Sequence, residues 1–321
     1  MIYRLKRMVK RNVFLYSCLI NIKKLLCTIV YVLYVYTLVI GNKGNVIFAE
    51  CYIRYSIFRF RKQNWGDDLN KYLWEYVTGR KFFSIPYSKI ILKTFDCYSL
   101  IGSIISFYNL DNKIIYGSGL ISPYDDINGK PQKIYSLRGP LTRECMVRAG
   151  IECPEKYGDP AILLPLFYRP ILKKERRGSV ILNMGTDKTN NTCFYELCRH
   201  MDLNVIDLVN YNNWTDIIDE IANSEFVISE SLHGLIVAET YGVPNVWVEF
   251  KNHPNYWDFK FNDYFASIGK NEKIIRLQDG IHYDIIINKI SSWEKADIDY
   301  RKMLSYVPFE IKCSIDFDIL K

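Results

Sequence analysis

Two short segments carry the residue types that bind and protonate a small anion. Arg138-Gly139 follows the strand-like run KIYSL (133–137) and opens a helix at Pro140, a good first helical residue. His233-Gly234 stands in the same relation to the strand-like run EFVIS (225–229) and the helical run LIVAETY. In open parallel sheets ligands bind beyond the carboxyl ends of strands. A helix start there offers free N–H groups and the positive end of the dipole. Arg138 adds a guanidinium fork, and Arg143 in the same helix adds a second. His233 has the ordinary pKa closest to neutrality, and Gly234 permits close backbone approach. Together they describe a cleft between two lobes, with an arginine from one and an imidazole from the other converging on a small doubly charged anion.

Glu239 and Asp67 are the further acid–base groups. Asn64, Asp68 and Asp159 are placed to touch a hydroxylated substrate, and Gly117-Ser118-Gly119 is a weak phosphate-loop signal. Each has a purely structural alternative. Arg138 could cap a carbonyl or pair with an acid, and Arg143 could pair with Glu144 or Glu75. Asp67 and Asp68 could cap a helix, and Asp159 could make the turn Gly158-Asp159-Pro160.

Only His200, His233, His253 and His282 are available for histidine chemistry. The nine cysteines are scattered with no C-x-x-C, which fits reduced thiols and gives no zinc spacing. No carboxylate cluster has metal spacing, so no metal and no resident cofactor are expected.

The elements that must position these residues read as α/β. Short β-branched or aromatic runs alternate with helical segments from residue 44 onward, the pattern of parallel sheets. The expected fold is two Rossmann-like lobes with a central cleft, plus an N-terminal apolar helix. The expected division is an arm over 1–43, a first lobe over 44–165, a second over 166–282 and a C-terminal helix and tail over 283–321. The segment ILLPLFYRPILKKERRG (162–178) reads as the linker, and 283–305 reads as helical.

Lys and Arg exceed Asp and Glu by seven, and residues 1–24 hold seven cations and no acid. The remainder is formally neutral, so a nucleic-acid partner is not expected. Beside this basic arm lies the uncharged run LLCTIVYVLYVYTLVI (25–40). As a helix it would be about 24 Å long, short of the ~30 Å of a hydrocarbon core. The reading favoured is an interfacial helix, in which residues 1–40 lie on a membrane surface and the body stays on its cytoplasmic side. A single span would put the body outside, and a buried core helix would meet no lipid.

Several segments, in order, resemble the polysaccharide pyruvyl transferases: NWGDDLNKYLWEYVTGRK, KIIYGSGLIS, SLRGPLTRECMVRAGI, KYGDPAILLP, SEFVISESLHGLIVAETYGVP and YWDFKFNDYFASIG. They run from about residue 64 to about 270. The resemblance implies a two-lobed fold like that of the GT-B glycosyltransferases. It implies phosphoenolpyruvate as donor and a sugar diol as acceptor, giving a pyruvate ketal and phosphate. Arg138 matches the family's donor-anion arginine, and His233 matches the histidine of its LHG turn. Some members carry Arg where this chain has Ser231, so Lys260 or Arg143 would have to supply the second cation. Under this reading Arg138, Arg143, Ser231, Gly234, Gly117 and Ser118 bind donor, and His233 is the general acid. The acceptor would be a lipid-linked or polymeric glycan. The competing expectations are a GT-B glycosyltransferase using a nucleotide sugar, and a non-catalytic scaffold of polysaccharide assembly.

Overall fold

The computed structural model describes residues 22, 29–30, 32–51, 54–56, 59–61, 64–84, 94–183, 186, 191–277, 280, 283–316 and 318. Residues 1–21, with most of the basic arm, lie outside them, as does much of the first half of the apolar run.

The first half of the chain supplies β1 (Val46–Ala49), an antiparallel ribbon of β2 (Arg54–Ser56) and β3 (Arg59–Arg61), helix α1 (Trp65–Thr78), β4 (Lys81–Ser84), β5 (Cys97–Ser99), β6 (Lys113–Tyr116), β7 (Lys133–Ser136), α2 (Pro140–Arg148) and short α3 (Leu164–Phe167). The second half supplies β8 (Arg177–Ile181), α4 (Thr192–Met201), β9 (Asn204–Ile206), α5 (Trp214–Ala222), β10 (Ser224–Ser229), α6 (Leu232–Thr240), β11 (Asn245–Glu249), α7 (Phe259–Ser267), β12 (Ile275–Arg276), α8 (Tyr283–Ser291) and α9 (Tyr300–Leu304).

Two five-stranded parallel sheets result, ordered β4-β1-β5-β6-β7 and β12-β11-β10-β8-β9. Numbered by sequence within each sheet, both orders are 2-1-3-4-5. Strand order therefore reverses between β1 and β5 in one lobe and between β8 and β10 in the other. Such reversals open a crevice beyond the strand ends, because the flanking loops leave in opposite directions.

Helix α1 buries Leu69, Leu73, Trp74 and Val77 completely, one apolar stripe at helical spacing. It ends at Gly79, whose φ of 65° is the left-handed geometry a C-cap glycine provides, with its N–H on Glu75 O at 3.0 Å. Asn64 stands at the N-cap, and Asp67 and Asp68 fall in the first turn.

The start of α1 is tied to the second lobe. Trp65 N–H donates to Leu208 O at 2.8 Å, Trp65 Nε1 to Trp214 O at 2.7 Å, and Tyr211 OH to Asp68 Oδ2 at 2.8 Å. The C-terminal segment then returns to the first lobe. Phe309 packs on Trp74 and Tyr98, and Lys312 N–H donates to Val77 O at 2.8 Å.

Three sequence expectations change. The supposed linker begins as core, with Ile162, Leu163, Leu164 and Leu166 fully buried; only 171–177 is continuously exposed. The C-terminal helix divides into α8 and α9, with non-helical chain over 293–299. His233 and Gly234 lie inside the first turn of α6, because the helix starts at Leu232 instead of after Gly234.

Residues 32–41 form a helix. Val32, Val35 and Val39 pack on Val46, Phe48 and Cys97 of the first sheet. Ile29, Val30, Leu33, Tyr36 and Ile40 point outward, from 41% to 74% exposed. Among the described residues no helix is long and apolar enough to cross a membrane.

Candidate functional site

A cavity of about 460 Å³ opens where the two strand-order reversals face each other. From the first lobe come Asn64 and Asp67 at the start of α1 and Gly102, Ser103 and Ile104 beyond β5. From the second come Asn183 beyond β8, Ser231 and His233 beyond β10, Lys251 and His253 beyond β11, and Trp257 and Lys260 around the start of α7. Phe107 and Ile121 add apolar surface.

The loops of the second lobe are organised by one carboxylate. Glu230 Oε2 accepts from Asn183 N–H at 3.1 Å and from Thr186 Oγ1 at 2.6 Å, and Oε1 accepts from Phe250 N–H at 3.0 Å. His253 Nε2 lies 3.5 Å from Glu230 Oε1, and its ring stacks on Trp257 at 4.6 Å. Lys260 Nζ sits 3.6 Å from the Trp257 ring centroid, so an aromatic face holds its ammonium.

Charge in this space is strongly perturbed. Enclosure pushes the Asp67 carboxyl up to about 7; Asp68 and Asp159 add to the rise, and the Asn64 amide (Nδ2 to Oδ2, 2.8 Å) and Lys260 oppose it. Enclosure pulls the Lys260 ammonium down to about 7, with Arg138 assisting. His233 is depressed to about 3, by burial first and then by Lys260 and Arg138. Burial therefore favours the uncharged imidazole at neutral pH, whereas the general-acid role expected from the sequence needs the protonated form.

Of the sequence-predicted residues, Asn64, Asp67, Ser231 and His233 meet in the cavity. Lys260 lines it too, whereas Arg143 is turned away, bonded to Cys153 O at 3.1 Å and paired with Glu155 at 3.2 Å.

Arg138 lies behind the wall, fully buried. Its Nε meets Asp263 Oδ2 at 3.0 Å, its Nη2 donates to Leu120 O at 2.6 Å, and its Nη1 donates to the Oγ of cavity-lining Ser103. All three guanidinium nitrogens are engaged within the protein, and its charge is felt in the cavity at Lys260 and His233.

Glu239 is also removed from the site. Its oxygens take Lys270 Nζ at 2.8 Å, Ala296 N–H at 2.7 Å, Asn245 Nδ2 at 3.1 Å and Trp293 Nε1 at 3.2 Å, which anchors the chain before α9.

Asp68 is spent on Tyr211. Gly117 (φ +77°) lets Pro160 pack where a side chain would be, since a Cβ would come within 2.3 Å of it. Ser118 is buried with its hydroxyl on Leu100 O. Gly234 seats α6 on β8 and β10, since a Cβ there would approach Ser229 Oγ to 2.5 Å. Asp159 does not line the cavity; it is fully buried and caps a 3₁₀ turn through Oδ1, which accepts from Ala161 N–H at 2.9 Å.

The sequence reading did not single out Gly102, Ser103, Asn183, Lys251 and Trp257, and named His253 only as one of four available histidines. Lys251 and His253 had a readable signal, because they fall in the loop leaving the carboxyl end of a strand.

The polysaccharide pyruvyl transferase family profile matches residues 40–253. This chain belongs to that family. The Succinoglycan biosynthesis protein ExoV of Rhizobium meliloti (strain 1021) is 26% identical over 238 residues, covering 72% of this chain and 69% of that protein. The Uncharacterized protein L143 of Acanthamoeba polyphaga mimivirus is 26% identical over 266 residues, covering 78% of this chain and 86% of its own. Family membership makes the chain a transferase with a role in polysaccharide modification. The family match spans both strand-order reversals and stops at His253, so α7, which brings Lys260 to the cavity, lies beyond it.

Proposed function

We propose that the chain transfers the pyruvate unit of phosphoenolpyruvate onto two hydroxyls of a sugar, forming a ketal and releasing phosphate. The observation that carries this reading is the meeting of Asp67, His233 and Lys260 in one cavity that both lobes line.

The donor carries a carboxylate and a phosphate, which suit the Lys260 ammonium and the free N–H groups at the start of α6 behind Ser231. Its charge raises the pKa of Lys260 and Asp67, so binding draws protons into the site. Asp67 gives its proton to the donor methylene, which becomes a methyl group and leaves cationic character on the adjacent carbon. One sugar hydroxyl attacks that carbon while neutral His233 takes its proton. The carbon–oxygen bond to phosphate breaks, and the second hydroxyl closes the ring. Of the two hydroxyl protons, one replaces the proton given by Asp67 and the other leaves on phosphate.

The acceptor in this reading is a lipid-linked precursor of a surface polysaccharide, met at the cytoplasmic face of the membrane. Two features support it. The outward stripe of the helix over 32–41, extended by Ile29 and Val30, is apolar, and the sequence before it holds seven cations and no acid.

Incubation with phosphoenolpyruvate and sugar acceptors tests the reading: phosphate release together with a mass gain of one pyruvate ketal on the acceptor is expected. Turnover of a nucleotide sugar with release of a nucleoside diphosphate, and none with phosphoenolpyruvate, overturns it.

A further inference from the structure

Where His233 leaves the cavity lining for the interior, two buried polar atoms face each other without hydrogen-bond partners. His233 Nε2 and Asp159 Oδ2 lie 3.9 Å apart, and neither has another partner among the described residues. Asp159 is fully buried and held at its other oxygen by Ala161 N–H, so Oδ2 is the oxygen left for the imidazole. The opposite nitrogen of the ring lies against Gly66, where an added Cβ would come within 2.0 Å of His233 Nδ1. Gly66 stands between Asn64 and Asp67, which line the cavity.

We propose that Asp159 is the positioning residue for His233. Its Oδ2 receives the Nε2 proton and fixes the tautomer in which Nδ1, beside Gly66, is the proton-accepting atom. A separation of 3.9 Å exceeds a hydrogen bond, and contacts of this kind tighten when substrate fills the site. The carboxylate also stabilises the imidazolium that forms once Nδ1 has taken a proton, as the aspartate of a serine-protease triad does for its histidine.

Other charged groups set the limits of this pairing. Lys260 and Arg138 both oppose protonation of His233. Asp159 is raised to about 6, by burial first, with Ala161 N–H and Arg138 opposing the rise. Asp67 feels the Asp159 charge, and the phenols of Tyr116 and Tyr264 are disfavoured from ionising in part by it. Around neutral pH Asp159 is therefore mostly ionised and His233 neutral, the combination in which one proton sits on Nε2.

This assignment rests on His233 acting in the transfer proposed above, but its test does not. Nitrogen-15 NMR of histidine-labelled protein, with the His233 signals identified from a His233→Gln sample, reads the tautomer directly. The wild type is expected to be protonated at Nε2, and a proton on Nδ1 overturns the proposal. Asp159→Asn keeps an oxygen for Ala161 N–H and presents an NH₂ to Nε2, so the proton should move to Nδ1. Transfer should then slow by about 100-fold or more in kcat, with the KM for phosphoenolpyruvate little changed. If Asp159→Asn keeps both the wild-type tautomer and wild-type kcat, the pairing is wrong even if the transfer reaction stands. If the tautomer switches but no phosphoenolpyruvate turnover is ever found, the pairing holds and the functional reading fails.

Discussion

Arg138 of the first lobe and Asp263 of the second are both fully buried and meet at 3.0 Å. Asp263 also accepts from Thr142 N–H at 2.9 Å and Thr142 Oγ1 at 2.6 Å. Gly139 lets the two elements touch, since a Cβ there would come within 1.9 Å of Asp263 O. The motif RGPLT is thus a clasp between α2 and α7, and α7 is the helix that brings Lys260 to the cavity. Asp263→Ala leaves a guanidinium buried without its counter-charge and should cost about 3–5 kcal/mol. Equilibrium denaturation reads this; an unchanged midpoint would mean that the clasp contributes nothing.

Lys260 should govern donor affinity and its pH dependence. With a pKa of about 7 in the free protein, it is charged below neutrality and uncharged above. The KM for phosphoenolpyruvate should rise as pH increases through this value, approaching about tenfold per pH unit at most. Lys260→Arg should flatten the profile, because guanidinium stays charged. Lys260→Met should raise KM throughout. A wild-type profile flat between mildly acidic and mildly alkaline pH contradicts the assignment.

Asp67 works as an acid only while protonated. Its folded pKa, raised to about 7, lies above the ordinary carboxylate value, so at neutral pH about half of the free protein carries this proton. Asp67→Asn should lower kcat by about 10²–10⁴ and slow the incorporation of solvent deuterium into the methyl of the product by the same factor. Since the raised pKa disfavours the carboxylate, Asp67→Asn should also keep or increase stability at alkaline pH, where the wild type must hold a buried charge. A loss of stability there would show that the carboxylate is satisfied in a way these contacts do not provide.

Gly66→Ala separates helix stability from activity. Alanine favours an α-helix over glycine by about 1 kcal/mol, yet a methyl group here occupies the space beside His233 Nδ1. Circular dichroism should show α1 retained while kcat falls with the imidazole displaced. Full activity would mean that the ring has room to shift without consequence.

The outward stripe on the helix over 32–41 should govern membrane contact. Co-flotation of the full chain with anionic vesicles is expected, weakened by salt and by Leu33→Asp. Equal recovery with neutral and anionic vesicles removes the role of the basic arm, and no recovery with either removes the membrane reading.

The alternation of β-branched runs with helical segments was enough to establish the α/β class, because period and turn residues are local properties. Pro140 marked a helix start for the same reason: the demand on backbone geometry is met by one residue. His233, Asp67 and Asn64 could be nominated from their residue types and from their positions beyond strands or at a helix start. What each neighbour would be could not. Arg138 resembles an anion ligand in sequence, and only the approach of Asp263, 125 residues away, turns it into a clasp. Glu239 is likewise claimed by Lys270 and by the chain at Ala296. Lys260, Asp67 and His233 acquire their shifted charges through contacts between lobes, which no spacing along the chain encodes. Local sequence determined which elements form and where ligands could approach; long-range packing, through the desolvation and partners it imposes, decided which polar groups remain for chemistry.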